Sequence, residues 1–508
     1  MMQTPALVLK GISKKFGAIT ANADISISLQ VGEVIALLGE NGAGKTTLMN
    51  ILFGHYMPDE GSVEIEGKPL VLGKPRNAIA MGVGMVHQHF SLAPNLTVLE
   101  NIMTGTEPLF SLRSKTEAAR AKLTKLADRF GLLVDPDAFV SDLSVGEQQR
   151  VEILKALFND CRILILDEPT AVLTQPEAEQ LFRLLRVMAT EGLSIIFISH
   201  KLHEVMNGAD RVVVLKGGRL VAERQTSATD KAELAELMVG HQVKRPTRSK
   251  TTPGPVVMKA KDVTLIQDGH KRLDNVNFEL RENEVLSIIG VSGNGQAQLA
   301  QVLSGLVKPS SGTVEVLGEL SNNLTPTELT ERGVARIPED RNTEGAIGAL
   351  SLWQNAILQR IRDPRFSKRG IVRGQAAETY TQDIIRNFDV RGGTPQTEAR
   401  LLSGGNLQKL ILGRNLSENP RILIAAQPAR GLDEGAIAEV HRRLLEVRAA
   451  GAGILLISEE LEETMLLADR VQAIVNGCLS PPVATQTLDS RQLGFMMAGE
   501  WGGLEHAV

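Results

Sequence analysis

The stretch Glu33-Val-Ile-Ala-Leu-Leu-Gly-Glu-Asn-Gly-Ala-Gly-Lys-Thr46 decides the fold. Its first half is a short apolar, partly β-branched run that ends at a glycine, and it reads as a buried strand. Gly39 to Thr46 then fits G-x-x-x-x-G-K-[ST], set between that strand and a helical pattern. Glycines let the backbone curl so that N–H groups face phosphate oxygens, and the following helix N-terminus adds positive potential. Gly39, Glu40, Asn41, Gly42, Ala43, Gly44, Lys45, Thr46 and Thr47 are therefore the candidate nucleotide-binding residues. Lys45 supplies the charge that bridges β- and γ-phosphates, and the Thr46 hydroxyl is a candidate Mg²⁺ ligand.

Downstream, Arg162-Ile-Leu-Ile-Leu-Asp-Glu168 reads as a second buried strand that ends in two carboxylates. Asp167 is placed to hold Mg²⁺, largely through water, and Glu168 to face the attacking water. A third apolar run, Ser194-Ile-Ile-Phe-Ile, ends in Ser199-His200, at the carboxyl edge where such sheets bind ligands. Thr116 to Phe130 and Gln175 to Thr190 read as helices between these strands. The alternation predicts an α/β fold with a mostly parallel sheet.

The same parts occur twice. Gly39–Gly44 realigns on Gly290–Gly295 at an offset of 251, whereas Arg162-Ile-Leu-Ile realigns on Arg421-Ile-Leu-Ile at 259. The second half thus carries a short net insertion somewhere in 342–400. Residues 241–255, basic and rich in threonine and proline, read as a linker between domains at 1–240 and 256–508. A period of about 250 residues is too long for a solenoid unit and marks a duplicated domain.

Composition bounds the setting. In 508 residues, 43% are hydrophobic and 22% charged, ordinary for a globular protein, and the formal net charge of −4 gives no basic field for nucleic acid. Cys161 and Cys478 alone cannot build a disulfide framework or a four-cysteine zinc site. No secretory pattern is visible at the N-terminus, and no apolar run approaches the ~20 residues needed to cross a bilayer. Any membrane role would run through a partner.

Asp142-Leu-Ser-Val-Gly-Glu-Gln-Gln-Arg150, about twenty residues before the Asp-Glu pair, resembles the signature motif of ABC ATPases. The resemblance implies two tandem P-loop NTPase domains, each with a mainly parallel sheet core, an antiparallel β subdomain and a helical subdomain. It implies ATP and Mg²⁺ as ligands. It also makes Phe16 the adenine-stacking aromatic, Gln88 the Q-loop glutamine (catalytic and on the Mg²⁺ side) and His200 the switch histidine.

The second half departs from this pattern. Lys45 aligns with Gln296, Thr46 with Ala297, Asp167 with Ala426, Glu168 with Gln427, Gln88 with Glu339, His200 with Glu459 and Phe16 with Gln267. Without the Mg²⁺-side groups and the general base, that half has no route to phosphoryl transfer. Yet Leu402-Ser403-Gly404-Gly405-Asn406 and Gly431-Leu432-Asp433 match the family's signature and D-loop. In the first half the corresponding positions are Val145, for a glycine, and Thr174, for the aspartate. Since ABC domains pair head to tail, the resemblance implies one competent composite site and one degenerate site. The competent site joins Lys45, Asp167, Glu168 and His200 to Ser403, Gly404, Gly405 and Asp433.

The duplicated cassette and Pro338-Glu-Asp-Arg341 resemble the import ATPases for monosaccharides and nucleosides, closer to the nucleoside branch. The implied partners are permease subunits, whose coupling helices meet segments following Gln88 and Glu339, and indirectly an extracytoplasmic binding protein. Nucleic acid is not an implied partner. The implied location is peripheral, on the cytoplasmic face of the membrane. A ribosome-associated tandem ATPase is the alternative, but such proteins keep both sites complete. A DNA-repair or chromosome ATPase would carry zinc cysteines or long heptads, and neither is present.

Overall fold

The computed structural model describes residues 4–17, 19–40, 42–87, 90–106, 116–170, 173, 175–199, 201–239 and 246–501. Chain contacts divide it into two compact units, 1–243 and 244–508.

In the first unit, the run expected as a strand forms Val34–Leu38, buried at every position. It lies between the parallel strands Ser194–Ile198 and Arg211–Lys216. Ile163–Asp167 and Val83–Val86 extend the sheet on one side, and Arg219–Gln225 closes the other as an antiparallel edge. Burial on both faces is why these strands read as continuous Val/Ile/Leu runs with no alternation. A separate antiparallel sheet holds Ile19–Leu29, Leu7–Phe16, Glu60–Ile65 and Lys68–Pro69. The helices Thr116–Phe130 and Val145–Phe158 pack on each other, and Val145–Phe158 also packs on the edge strand Val83–Val86.

The second unit repeats this plan. Val334–Ile337, Ile422–Ala426, Gly453–Ser458, Val285–Ile289 and Arg470–Val475 form its parallel core. His270–Arg281, Val256–Gln267, Ser311–Val316 and Glu319–Leu320 form its antiparallel sheet. Gly374–Asn387 packs on Gly404–Leu416. Part of the extra length of this half falls in the connection that holds a two-stranded hairpin, Ser367–Lys368 with Ile371–Val372.

Part of the stretch read as a linker is bound to the second unit. Arg448, 1% exposed, donates to the Ser249 carbonyl at 3.0 Å and to the Thr251 hydroxyl, while pairing with Asp469 at 2.7 Å. Thr251 donates in turn to the Asn283 carbonyl. A fully buried guanidinium needs its donors satisfied, and the strap satisfies them. Residues 240–245 lie outside the described residues.

Candidate functional site

The phosphate-binding loop is built by steric necessity. Gly44 sits at φ 95°, just ahead of the helix Lys45–Phe53, and a Cβ there would lie 2.1 Å from the Ala21 carbonyl oxygen. Buried Asn22 holds the Gly44 carbonyl at 3.1 Å. The Lys45 ammonium, 6% exposed, donates to the Gly39 and Glu40 carbonyls at 2.7 and 2.9 Å. A charge held against its own loop is placed to turn to phosphate oxygens.

Beside it stand the carboxylates. Burial pushes the Asp167 carboxyl up to about 6. The adjacent Glu168 charge adds to this, while the Lys45 ammonium and the Thr46 hydroxyl oppose it. Two neighbouring carboxylates, one short of solvent, with a hydroxyl between them and the loop, suit a divalent cation, so Thr46, Asp167 and a nucleotide's phosphates fit Mg²⁺. Glu168 occupies left-handed backbone at φ 47°, its N–H bonded to the Ile198 carbonyl at 3.1 Å.

The strand that leads to His200 is tied to this region by a residue that sequence reasoning missed. Glu204, 2% exposed, accepts from the Ser199 hydroxyl at 2.7 Å and from the Thr170 hydroxyl, two residues beyond Glu168. Its signal was a carboxylate on the apolar side of the helix Leu202–Gly208. Phe16 ends its strand 43% exposed, with Tyr56 edge-on at 5.4 Å and the Lys14 ammonium 5.5 Å over its ring. Asn41, Gln88, Thr174 and His200 lie outside the described residues.

In the second unit the backbone persists without the chemistry. Gly295 is again left-handed at φ 113° before the helix Gln296–Leu303, and Gln427 again sits at φ 47° with its N–H on the Ile457 carbonyl. The Gln296 amide donates to the Val291 carbonyl at 2.8 Å, copying the Lys45–Glu40 bond without the charge. Glu459 hydrogen-bonds Ser292 of the loop. Burial raises its carboxyl above the usual range, Arg430 opposes this and Glu339 adds to it. Glu339 pairs with Arg430. Carboxylates beside the loop and no lysine make a poor fit for a triphosphate. Glu463 still accepts from Ser458 at 2.6 Å, but its second partner is His441 at 3.0 Å, because Ala429 stands where the first unit has Thr170.

The two signature helices differ in the opposite sense. Ser144 caps Val145–Phe158 in a reciprocal box with Glu147. Bonds from the Ser144 hydroxyl and N–H hold the Glu147 carboxyl below its ordinary value. An ionised carboxylate therefore sits on the helix N-terminus and cancels the positive potential there. The Ser403 hydroxyl, ahead of Gly404–Leu416, makes no bond to that helix's backbone and instead accepts from the neutral Asn406 amide at 2.9 Å.

Arg341, quoted above only as a family marker, lies against this turn. A Cβ at Gly404 would come within 2.8 Å of its Nη2, and one at Gly431 within 3.2 Å. Its Nη1 donates to the Arg430 carbonyl at 3.0 Å. In the first unit Gly404 is matched by Val145 and Arg341 by Phe90, so glycine and guanidinium are replaced together. Asp433 caps Glu434–Ala449 through the Ala436 N–H at 2.9 Å.

A glycine-lined loop with a buried lysine, a strand ending in Asp-Glu and a capped signature helix define a P-loop ATPase cassette in the first unit, and the second unit repeats its backbone plan without the lysine or the Asp-Glu pair. The sequence profile described as "ABC transporter" matches residues 23–171 and 273–430. The nucleoside import ATP-binding protein NupA of Lactococcus lactis is 40% identical over 490 residues, covering 96% of this chain and 97% of that one. The guanosine import ATP-binding protein NupO of Bacillus subtilis is 42% identical, covering 96% of each. A putative ribose/galactose/methyl galactoside import ATP-binding protein of Agrobacterium fabrum is 38% identical, covering 97% and 98%. Among solved structures, the archaeal ribosome recycling factor aABCE1, in complex with stalk protein aP1, matches with a TM-score of 0.65 at 18% identity, covering 96% and 92%. That likeness shows the fold alone. The chain belongs to the ABC transporter family as a tandem-cassette ATP-binding protein, and it is an ATPase.

Proposed function

We propose that this chain powers a membrane importer of nucleosides, using one competent ATP site assembled from both units. One observation carries the reading. The first unit keeps the hydrolytic groups but has a carboxylate-capped signature, whereas the second has lost those groups but keeps an uncharged signature turn with Gly404 and Arg341 beside it. Decay of one domain would not distribute the losses this way. Pairing Lys45, Thr46, Asp167, Glu168, Gln88 and His200 with Ser403, Gly404, Gly405, Asp433 and Arg341 completes a site.

In that site Lys45 and the loop N–H groups bind the phosphates, with Phe16 stacking on adenine. Thr46, Asp167 and Gln88 hold Mg²⁺, which when bound neutralises charge on the transferred phosphoryl group. A Glu168 carboxylate oxygen takes the proton of the attacking water, and His200 steadies the γ-phosphate. Glu204 keeps the His200 strand in register with the Asp167–Thr170 turn. The Gly404–Leu416 N-terminus and Arg341 add positive potential. ATP binding then favours a closed arrangement of the units, and loss of phosphate releases it. The permease meets the segments that follow Gln88 and Glu339, and the chain works at the cytoplasmic face of the membrane.

Relatives named for nucleoside and guanosine import match at 40% and 42%, and the glucose import ATP-binding protein TsgD13 of Haloferax volcanii matches at 41%, so the preference for nucleosides rests on the motif residues Gly293-Asn-Gly-Gln296 and Ala425-Ala-Gln-Pro428 and not on identity. The test is reconstitution with candidate permease subunits and a substrate-binding protein. ATP turnover stimulated by guanosine or another nucleoside supports the reading. Stimulation by ribose or galactose alone, or by ribosomes without permease, overturns it.

A further inference from the structure

The connection between Leu352–Ile357 and Gly374–Asn387, where part of the second half's extra length falls, carries a strongly basic surface. Between Arg360 and Arg373 there are six basic side chains (Arg360, Arg362, Arg365, Lys368, Arg369, Arg373) and one acid, Asp363, in a chain whose net charge is −4. Asp363 and Glu418 neutralise Arg365, and Glu418 lies 3.9 Å from Arg360. Arg362, Lys368, Arg369 and Arg373 have no carboxylate partner among the described residues. Interleaved with these cations are aliphatic side chains turned to solvent: Ile361 at 43%, Ile371 at 74% and Val372 at 37% exposure.

The element is anchored. Phe366, 2% exposed, packs with Ile357, Ala377, Trp353 and Tyr380 in a small core of its own. The Arg365 guanidinium lies 5.1 Å over the Phe366 ring. Arg369 and Gly370, both left-handed, close the two-residue turn between the hairpin strands. A fixed hairpin with free cations around exposed aliphatic tips has no purpose inside this unit, since none of those tips joins a core.

We propose that residues 360–373 dock on the anionic phospholipid surface of the bilayer, independently of the permease. Charge complementarity selects the occupant: clusters of four to eight Lys/Arg bind anionic headgroups, and short aliphatic side chains between them enter the acyl boundary. Single-stranded nucleic acid is disfavoured because the exposed side chains among the cations are aliphatic, with no aromatic platform for base stacking. The contact gives a peripheral ATPase a second hold on the membrane and fixes the second unit's orientation there.

The experiment uses the full-length chain with sedimented vesicles of phosphatidylcholine, with or without a quarter phosphatidylglycerol. Binding to the phosphatidylglycerol vesicles is expected, weakening steeply with salt. The double substitution Lys368→Gln/Arg369→Gln is expected to lower the partition coefficient about 30-fold, and Ile371→Ser to lower it less, both with unchanged melting temperature and ATPase rate. Equal binding to both vesicle types overturns the proposal. So does a well-folded double variant that binds as wild type, or a substitution-sensitive affinity for a 20-nucleotide RNA exceeding that for the vesicles. Failure here leaves the ATPase reading intact, because that reading is scored by nucleoside-stimulated turnover.

Discussion

The two phosphate-binding loops share a backbone and differ in nearly every group that does chemistry. Gly44 and Gly295 adopt the same left-handed turn, Glu168 and Gln427 the same strained φ, and Lys45 and Gln296 the same bond to a loop carbonyl. What separates them is charge: an ammonium and a carboxylate pair in one, amides and a displaced glutamate in the other. The signature turns invert this, with Glu147 and Phe90 in the catalytic unit against Asn406 and Arg341 in the other. The lesson is that scaffold and chemistry are lost separately. A unit can keep its fold and its signature turn after giving up its own hydrolytic groups.

Six variants break or sharpen this contrast. Lys45→Ala and Glu168→Gln should each lower ATP turnover by about 10²–10⁴-fold in a steady-state phosphate-release assay. Only Glu168→Gln should accumulate bound, uncleaved ATP; if both variants release nucleotide equally, Glu168 is not the base. Arg341→Ala should cost about 10²-fold in rate while Arg341→Lys recovers part of it; an unaffected rate would remove Arg341 from the site. Glu204→Gln should slow turnover several-fold and destabilise the first unit by about 1–3 kcal/mol, read by chemical denaturation, because a hydroxyl loses its buried acceptor. The smallest effect is expected from Gln296→Lys/Ala297→Thr: no second nucleotide should appear in equilibrium dialysis, since Glu459 and Glu339 still crowd that loop with negative charge.

Much of this contrast was legible before any coordinates. The strands Val34–Leu38, Ile163–Asp167 and Ser194–Ile198 and the helices Thr116–Phe130 and Gln175–Thr190 lie where periodicity placed them, because doubly buried strands and amphipathic helices announce themselves locally. The candidate phosphate loop was legible because its residues, Gly39 to Thr47, lie in one continuous stretch. Arg341 was not, because its partners Gly404 and Gly431 lie more than sixty residues away and only folding joins them. Neither was Glu204, whose meaning depends on two hydroxyls from different strand ends. The strap on Arg448 hid in a stretch whose composition reads as linker, since its order comes from a buried guanidinium two hundred residues on. Glu147 opposite Asn406 was visible in the repeat alignment and needed only the electrostatics of a helix N-terminus to be understood.

The central claim is that a single working catalytic centre draws its nucleophile-activating side from 1–243 and its signature side from 244–508. The most direct measurement is steady-state ATPase activity of Ser403→Arg and Ser144→Arg, purified and assayed side by side. Ser403→Arg should abolish turnover although it lies outside the hydrolytic unit, and Ser144→Arg should leave most of it. Equal losses in the two variants, or full activity in Ser403→Arg, would contradict the account.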